Sequence, residues 1–384
     1  MPGYKYSAIG YVPEEWDVKR LCNFASVATG STPPTSDAAN YGDEFLFVSP
    51  VDMGEAKLIT RTEKKLSQKG FSISRKFPRG SILFVCIGST IGKCGIASTE
   101  LTSNQQINAI FPSPIFSEDY LYYAMAAAAP GVRALAGEQA VPLVNKTQFS
   151  ETYVPLPPLP EQHAIAQALS DVDALLATLD RVIAKKRDLK QAAMQQLLTG
   201  KTRLPGFGGE WEVKRLDELA SLYQPQTISA QLFTEAGFPV YGANGVVGFY
   251  HSSNHETWQV TVTCRGSTCG TVNRTVDECW ITGNAMVLNC DSNRKLNKDF
   301  FYYLMLAQDM SDCITGTGQP QIVRAPLSAF KVRLPMDSEE QAAIAEILSD
   351  MDAELSVLEA SREKNRNIKQ AMMQELLTGK TRLV

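Results

Sequence analysis

Two stretches of the chain carry apolar residues at alternating steps of four and three. In one they are Ile165, Leu169, Val172, Leu176, Leu179 and Ile183; in the other, Ile344, Leu348, Met351, Leu355 and Leu358. This heptad spacing gives a helix one narrow apolar seam for a partner helix. Pro160 at a first-turn position marks one start, and Ser338 with Gln341 three residues on, a capping-box spacing, marks the other. Gly200 and Gly379, each followed by Lys and Arg, mark the ends. A helix from about 161 to 198 is roughly 57 Å long at ~1.5 Å per residue. An exposed seam of that length needs a mate, and the matching second stripe supplies it as a mutual coiled coil.

Ahead of each helix the pattern changes. SILFVCIGSTIGKCGIAS (81–98) and WQVTVTCRGSTCGTVNRT (258–275) alternate apolar and polar positions around a G-S-T-x-G turn. Amphipathic segments, EDYLYYAMAAA and KDFFYYLMLAQ, follow and predict short helices. Each block is mixed α/β, and the order of elements is the same in both.

The chain repeats itself in words as well as in pattern. QQLLTGKTRL at 195–204 returns as QELLTGKTRL at 374–383, an offset of 179, and EWDVKRL at 15–21 returns as EWEVKRL at 210–216, an offset of 195. The intervening material is therefore 16 residues shorter in the second half. A variable and a constant block, each written twice, imply tandem duplication with divergence confined to alternate segments.

Composition narrows the function. At 384 residues, 44% hydrophobic and 20% charged, the chain suits two globular cores. No run of about 18 apolar residues predicts a membrane span, and the start lacks a signal peptide. The eight cysteines form no C-x-x-C pair and read as reduced cytosolic thiols, which places the protein in the cytoplasm. The net charge of −4 argues against tail-driven nucleic-acid binding, though not against a DNA reader with its basic residues on one face. The G-K-T triplets follow helices and have Gln195 and Gln374 where a phosphate loop needs glycine, so they read as helix caps. Gly88 to Cys94 is one residue short of such a loop. His251 and His255 lie in a loop-like stretch with no further ligand pattern, so no metal is expected. No nucleophile or paired-carboxylate motif suggests catalysis.

Taken in order, Pro13-Glu-Glu-Trp16, Gly30-Ser-Thr-Pro33, Gly88 to Lys93, Ser103-Asn104-Gln105 and LPPLPEQ, then Glu210-Trp211, Pro239-Val-Tyr-Gly242, Arg265-Gly266-Ser267, Gly318-Gln-Pro and LPMDSEEQ, carry a family resemblance over essentially the whole chain. The chain resembles the specificity subunit of type I restriction-modification systems. The resemblance implies an α+β fold. Two similar mixed α/β target recognition domains (1–155 and 205–333) are joined and separated by two long antiparallel coiled-coil helices (156–204 and 334–384) in a pseudo-twofold cyclic arrangement. It also implies double-stranded DNA and two methylation subunits as partners, with an ATP-dependent restriction/translocase subunit as an optional third. S-adenosylmethionine and ATP would sit on those partners, with no cofactor here and no catalysis. The alternatives are a self-contained DNA methyltransferase or nuclease, or a two-headed scaffold for protein or sugar.

In the first domain Lys57, Arg75, Lys76 and Lys93 are candidate phosphate ligands, and Thr32, Ser49, Gln105 and Gln106 candidate base-edge contacts. In the second, Tyr241, Asn244, Arg265, Asn284, Gln319 and Arg324 are analogous. Arg265 stands where the first copy has Ile87, at a turn from which it could reach guanine O6 and N7. Two readers on a stiff rod imply a bipartite target, their centres about one helical turn, roughly 10 base pairs, apart. The second constant block stops at LTGKTRLV where the first runs on into EWEVKRL, and the chain soon begins EEWDVKRL. The termini should thus lie close together. A circular permutant reopened between residues 204 and 205 is expected to fold and bind DNA; an insoluble or non-binding permutant would count against the cyclic arrangement.

Overall fold

The computed structural model describes residues 3–54, 56–137, 140–316 and 319–383. The chain divides into two compact units, Met1–Leu179 with Ser361–Val384, and Asp180–Ala360. Both boundaries fall inside the long helices, Leu159–Leu197 and Ser338–Leu376. Each unit therefore holds one variable block, the start of one helix and the end of the other.

In the first unit, two five-stranded sheets share the turn at 104–106. One runs in the order Val27–Thr29, Ile107–Ile110, Ile82–Val85, Cys94–Ala97, Leu58–Ile59; the other runs Tyr41–Gly42, Lys64–Leu66, Phe45–Val48, Leu101–Ser103, Lys76–Phe77. The strand Ile82–Val85 is buried on both faces. Ile82 and Phe84 pack towards the helix Glu118–Ala134, whereas Leu83 and Val85 enter the core between the sheets. Alternation with period two thus divides one strand between two cores. The second unit repeats the plan: Val260 and Val262 face the helix Lys298–Leu306, and Ala285 and Val287 face a smaller core with Tyr241. The G-S-T-x-G turns are hairpin turns in both, with φ of 96° at Gly88, 105° at Gly92, 87° at Gly266 and 92° at Gly270. They join antiparallel strands, Ile82–Val85 to Cys94–Ala97 and Val260–Thr263 to Val272–Arg274.

The heptad residues lie on covered faces of the helices, and at the helix starts they pack with the variable block and the end of the other helix: Ile165 and Leu169 share a core with Leu376 and Leu377, Ile344 and Leu348 with Leu197 and Leu198. Ile165, Leu169, Ile183, Ile344, Leu348 and Leu355 are buried, and Val172, Leu176, Leu179, Met351 and Leu358 are half-buried. In each unit the helices run antiparallel, since Asp173 meets Lys369 while Glu161 meets Arg382, and Asp352 meets Lys190 while Glu340 meets Arg203. Ser338 departs from its expected role. It is the first helical residue, and Asp337 before it caps the helix by accepting the Glu339 amide at 2.9 Å. Gln341 is drawn instead to buried partners: its side chain accepts the Asn297 amide and donates to the Pro335 carbonyl, both at 2.8 Å. Gln162 does the same in the first unit, with the Ser117 amide at 2.9 Å and the Pro157 carbonyl at 2.8 Å. Ser117 and Asn297 cap the helices of the variable blocks, so each amide side chain fastens a variable block to a spacer helix.

The duplicated words meet at a clasp. Trp16, fully buried, donates its indole N–H to Glu161 Oε2 at 2.9 Å, and Arg382 grips both oxygens of that carboxylate. Gly379 (φ 70°) admits the ring of Pro13, whose Cδ would lie 2.4 Å from any Cβ there. Tyr4 donates to the Gly379 carbonyl at 3.0 Å, so segments near the two ends of the chain are in contact. In the second unit Arg203 holds Glu340 through Nε (2.5 Å) and Nη2 (2.7 Å), and Gly200 (φ 69°) packs on Trp211. Deeper along the helices, Tyr123 donates to Asp173 at 2.6 Å beside Lys369, and Tyr303 donates to Asp352 at 2.8 Å beside Lys190. Burial and the adjacent carboxylate hold both phenols well above the usual tyrosine range, so they stay donors.

Glu161 is fully buried and Glu340 nearly so, at 1%. Removing either arginine strands a buried carboxylate, so Arg382→Ala or Arg203→Ala should each cost about 3–5 kcal/mol in chemical denaturation. The paired change Glu161→Leu with Arg382→Leu should cost less than Arg382→Ala alone. Near-equal costs would show that the carboxylate is not held by its ion pair.

Candidate nucleic-acid interface

Strand register decides which side chains share an edge. In the first unit Phe45–Val48 and Leu101–Ser103 run parallel, Ser103 beside Val48, and both end towards one rim. Ser49 follows one strand and Asn104 the other, and the Asn104 amide donates to the Val48 carbonyl at 2.9 Å. Val27–Thr29 ends at the same rim, where Ser31 donates its amide to the Ser103 carbonyl. The turn from Gly88 to Lys93 and the start of Lys76–Phe77 also lie there, because Val85 pairs with Ile107 and Thr102 with Lys76. The close approach explains Gly30, where a Cβ would sit 2.2 Å from the Asn104 carbonyl oxygen.

This rim gathers Thr32, Ser49, Arg75, Lys93, Gln105 and Gln106, with Lys76 one residue inside it. Thr32 donates its hydroxyl to Gln105 Oε1, Ser49 donates to Asp52 at 2.7 Å, and Asn104 donates to Gln106 Oε1 at 2.9 Å. The rim is thus a polar surface ordered by its own hydrogen bonds. Arg75, Lys76 and Lys93 are exposed, although Arg75 also donates to the Thr29 carbonyl at 3.0 Å. Lys57 departs from expectation. Its ammonium lies 2.8 Å from both Asp119 and Ser170 and over the ring of Tyr123. Three local partners occupy it, so it braces the domain on its helix and is not a free phosphate ligand.

The second unit has the equivalent rim. Phe238–Tyr241 runs parallel to Trp280–Ile281, and beyond their ends stand Asn244 and Asn284, both exposed. The Cys264 amide donates to the Asn284 carbonyl at 3.1 Å, and Thr263 donates to the Ala243 carbonyl, which brings the Arg265 turn alongside. Arg265 is exposed and bridges to Gln321, and the Gly266 amide reaches the Pro320 carbonyl next to Gln319. Gly318 lies outside the described residues.

Two candidates fall away from this rim. Tyr241 is buried, 9% exposed, in the small core, and its phenol oxygen accepts the Val276 amide at 3.2 Å. It is a framework residue, since strand alternation turns it inwards. Arg324 opens the helix Arg324–Ala329 and lines a surface hollow with Asp217 and Ser221. That hollow lies at the opposite end of the strands, since Ser221 pairs with Asn289, far from Asn284.

His255 is buried by Tyr223 and Asn254, at 2.9 and 2.6 Å from its ring nitrogens, and burial lowers its pKa. Among the described residues no group of three His, Cys, Asp or Glu could hold a metal. All eight cysteines are free, and burial raises the Cys86 and Cys94 thiols to about 12. No helix among the described residues is long and apolar enough to cross a membrane.

Sequence reading missed Ser31 and Asn104 as rim residues, and it missed the cations Arg61 and Lys64. Phe47 pairs with Lys64, and the Glu63 amide is held by Asp52, which also binds Ser49, so this segment flanks the rim. The signal was legible: residues 57–79 contain eight Lys and Arg and one acid, Glu63, in a chain of net charge −4.

The family model described as type I restriction modification DNA specificity domain matches twice, over residues 13–185 and 208–369. The type I restriction enzyme MjaVIII specificity subunit of Methanocaldococcus jannaschii is 24% identical over 97% of this chain and 94% of its own. The HindI specificity subunit of Haemophilus influenzae is 34% identical over 30% of this chain and 25% of its own. In fold, the chain is similar to the crystal structure of a type I restriction-modification S subunit from M. genitalium, with a TM-score of 0.66 at 18% identity, covering 98% of this chain and 99% of that one. Two family matches that together take in most of the chain, one on each repeat, establish that it belongs to the type I restriction-modification DNA specificity family.

Proposed function

We propose that each rim reads one half of a bipartite double-stranded DNA target, and that the long helices carry the methylation subunits. The observation that carries this reading is the duplication of the rim itself. Equivalent strands end in equivalent loops twice, on equivalent clasps, while the loop residues differ between copies. A framework held constant beneath divergent polar loops suits two readers of different short sequences. Specificity would come from rim side chains at base edges in the grooves, and much of the affinity from cations on phosphates.

As a member of this family the chain recognises DNA for a restriction-modification complex and is itself non-catalytic. The finer assembly belongs to the proposal: two methylation subunits bound to the helices, S-adenosylmethionine on those subunits, adenine N6 as the methylated atom, an ATP-driven restriction subunit as a further partner, and action in the cytoplasm. In this scheme the residues of this chain place the duplex and hold it, and the partners supply the reactive groups. The second reading, a self-contained methyltransferase or nuclease, has no observation in its favour.

Mapping adenine methylation genome-wide in a host with and without this chain tests the proposal. The expected result is a methylated bipartite motif, two short defined segments around an unread spacer, that vanishes on deletion. Methyl transfer by the isolated chain, or an unchanged methylation map on deletion, would sink it.

At single-residue level, Arg265→Ala should relax discrimination at one base pair of one half-site, at a cost of about 1–3 kcal/mol. Uniform weakening across all sequences would make Arg265 a phosphate contact instead. Tyr241→Phe should leave the motif untouched and lower stability by about 1 kcal/mol, because the Val276 amide loses its acceptor. A changed motif in that variant would return Tyr241 to the reading surface.

A further inference from the structure

The two rims differ in one respect that duplication does not explain. Between the strands Phe45–Val48 and Ile82–Val85 the first unit carries 33 residues, 49–81; between Phe238–Tyr241 and Val260–Thr263 the second carries 18, 242–259. The extra length forms the strands Leu58–Ile59, Lys64–Leu66 and Lys76–Phe77 and the helix Gln68–Ile73. It also carries nearly all of the local positive charge. Segment 49–81 has eight Lys and Arg and three acids, Asp52, Glu55 and Glu63, whereas segment 242–259 has no Lys or Arg and one acid, Glu256.

Two of the eight cations are held in ion pairs, Lys57 by Asp119 and Lys69 by Asp37 at 2.7 Å, while Arg75 also donates to the Thr29 carbonyl and Lys76 lies over the Phe71 ring. Arg61, Lys64, Arg75 and Lys76 are exposed and make no ion pair among the described residues. Lys64 stands on one flank of the first rim, paired with Phe47 near the strand end at Ser49, with Arg61 three residues before it in the chain, and Arg75 and Lys76 stand on the other, beside Ser103. Lys93 adds a fifth exposed cation at the hairpin turn. The nearby acid Asp52 is engaged by the Ser49 amide and hydroxyl and by the Glu63 amide. Glu63, the one acid of residues 57–79, is exposed and lines a surface hollow with Asp43, Lys64 and Lys65, so cations still outnumber acids on the flanks.

The second rim has Arg265 as its cation, among Asn244, Asn284 and Gln319. Where the first unit has its charged insert, the second exposes Val246 (52%), Val247 (54%) and Phe249 (39%) on the hairpin strand Val246–Tyr250.

Resting on the reading that both rims face duplex DNA, we infer that the two units divide the work unequally. The first unit grips the phosphate backbone through its inserted basic segment and supplies most of the sequence-independent affinity. The second unit contributes little charge and acts mainly through base edges and apolar contact, for which an exposed valine pair beside a thymine methyl is suited. The physical consequence is a measurable asymmetry. Each phosphate neutralised releases condensed counterions, so the slope of log K against log salt changes by about 0.9 per contact.

The test uses the full chain and a mixed-sequence 40-base-pair duplex, with affinity measured by fluorescence anisotropy across a salt series. The combined variant Arg61→Gln, Lys64→Gln, Arg75→Gln and Lys93→Gln should flatten the slope by roughly 3 to 4 and lower affinity at least tenfold at low salt. The counterpart in the second unit is Arg294→Gln, Lys295→Gln, Lys331→Gln and Arg333→Gln, four exposed cations away from its rim, and it should change the slope by less than about 1. Arg265→Gln should also change it by about 1 or less. Arg61→Lys with Arg75→Lys, which keeps the charge, should retain the parent slope and so separates lost charge from lost folding. Equal flattening by the first-unit and second-unit quadruple variants, or an unchanged slope in the first, would overturn the division of labour while leaving DNA reading intact. Salt-independent binding, or none, by the parent chain would overturn the underlying reading and the inference with it.

Discussion

A buried carboxylate cannot be left without a cation, and that constraint organises each half of this molecule. Glu161 and Glu340 sit at the starts of the two long helices, with essentially no exposure, and each is neutralised by an arginine that follows the end of the other helix. Burying such a pair contributes little net stability, but burying one partner alone is strongly unfavourable, so the pair works as a device for register and partner choice. Only an antiparallel arrangement with the correct offset brings both pairs together. The tyrosine–aspartate–lysine groups further along repeat the same selection with half-buried charges. Apolar seams alone tolerate slippage by a heptad; these ionic contacts do not.

Seen from the clasp, the repeated words of the sequence have a common cause. Trp16 and Trp211, Gly379 and Gly200, and Arg382 and Arg203 recur because each clasp needs a flat ring, a residue without Cβ beneath it and a guanidinium fork. The two clasps are not identical. Trp16 donates to its carboxylate, whereas the Trp211 indole N–H finds no partner among the described residues, and Arg203 instead donates to the Gly208 and Gly209 carbonyls. Duplication preserved the charge pair more strictly than the bonds around it.

The architecture was legible because it rests on periodicity and repetition, which a single sequence displays directly. The capping glycines and the shared hairpin turn stand where the pattern put them, and the heptad residues are buried or half-buried. The rim was only half legible. Thr32, Gln105, Asn244 and Asn284 could be found because short polar residues at strand ends project from a rim. Tyr241 misled because one residue along a strand reverses the face, and no local signal places the strand end between Val240 and Gly242. Lys57 misled for another reason: its partners Asp119 and Ser170 lie 62 and 113 residues away in sequence, beyond the reach of any window. Ser338 shows competition on a smaller scale, since an adjacent aspartate capped the helix better and released Gln341 to a buried role.

Gln162 and Gln341 fasten the helix of each variable block to the first turn of a spacer helix, and each does so through two hydrogen bonds inside the protein. A fastening of this kind transmits torque. If a rim tilts to follow a groove, the rotation cannot be absorbed at a flexible neck, because the capping residue, the glutamine amide and the proline carbonyl before the helix move as one body. Within each unit the spacer helix behaves as the handle of a stiff tool, and a deformation of the bound duplex becomes a mechanical load at the clasp.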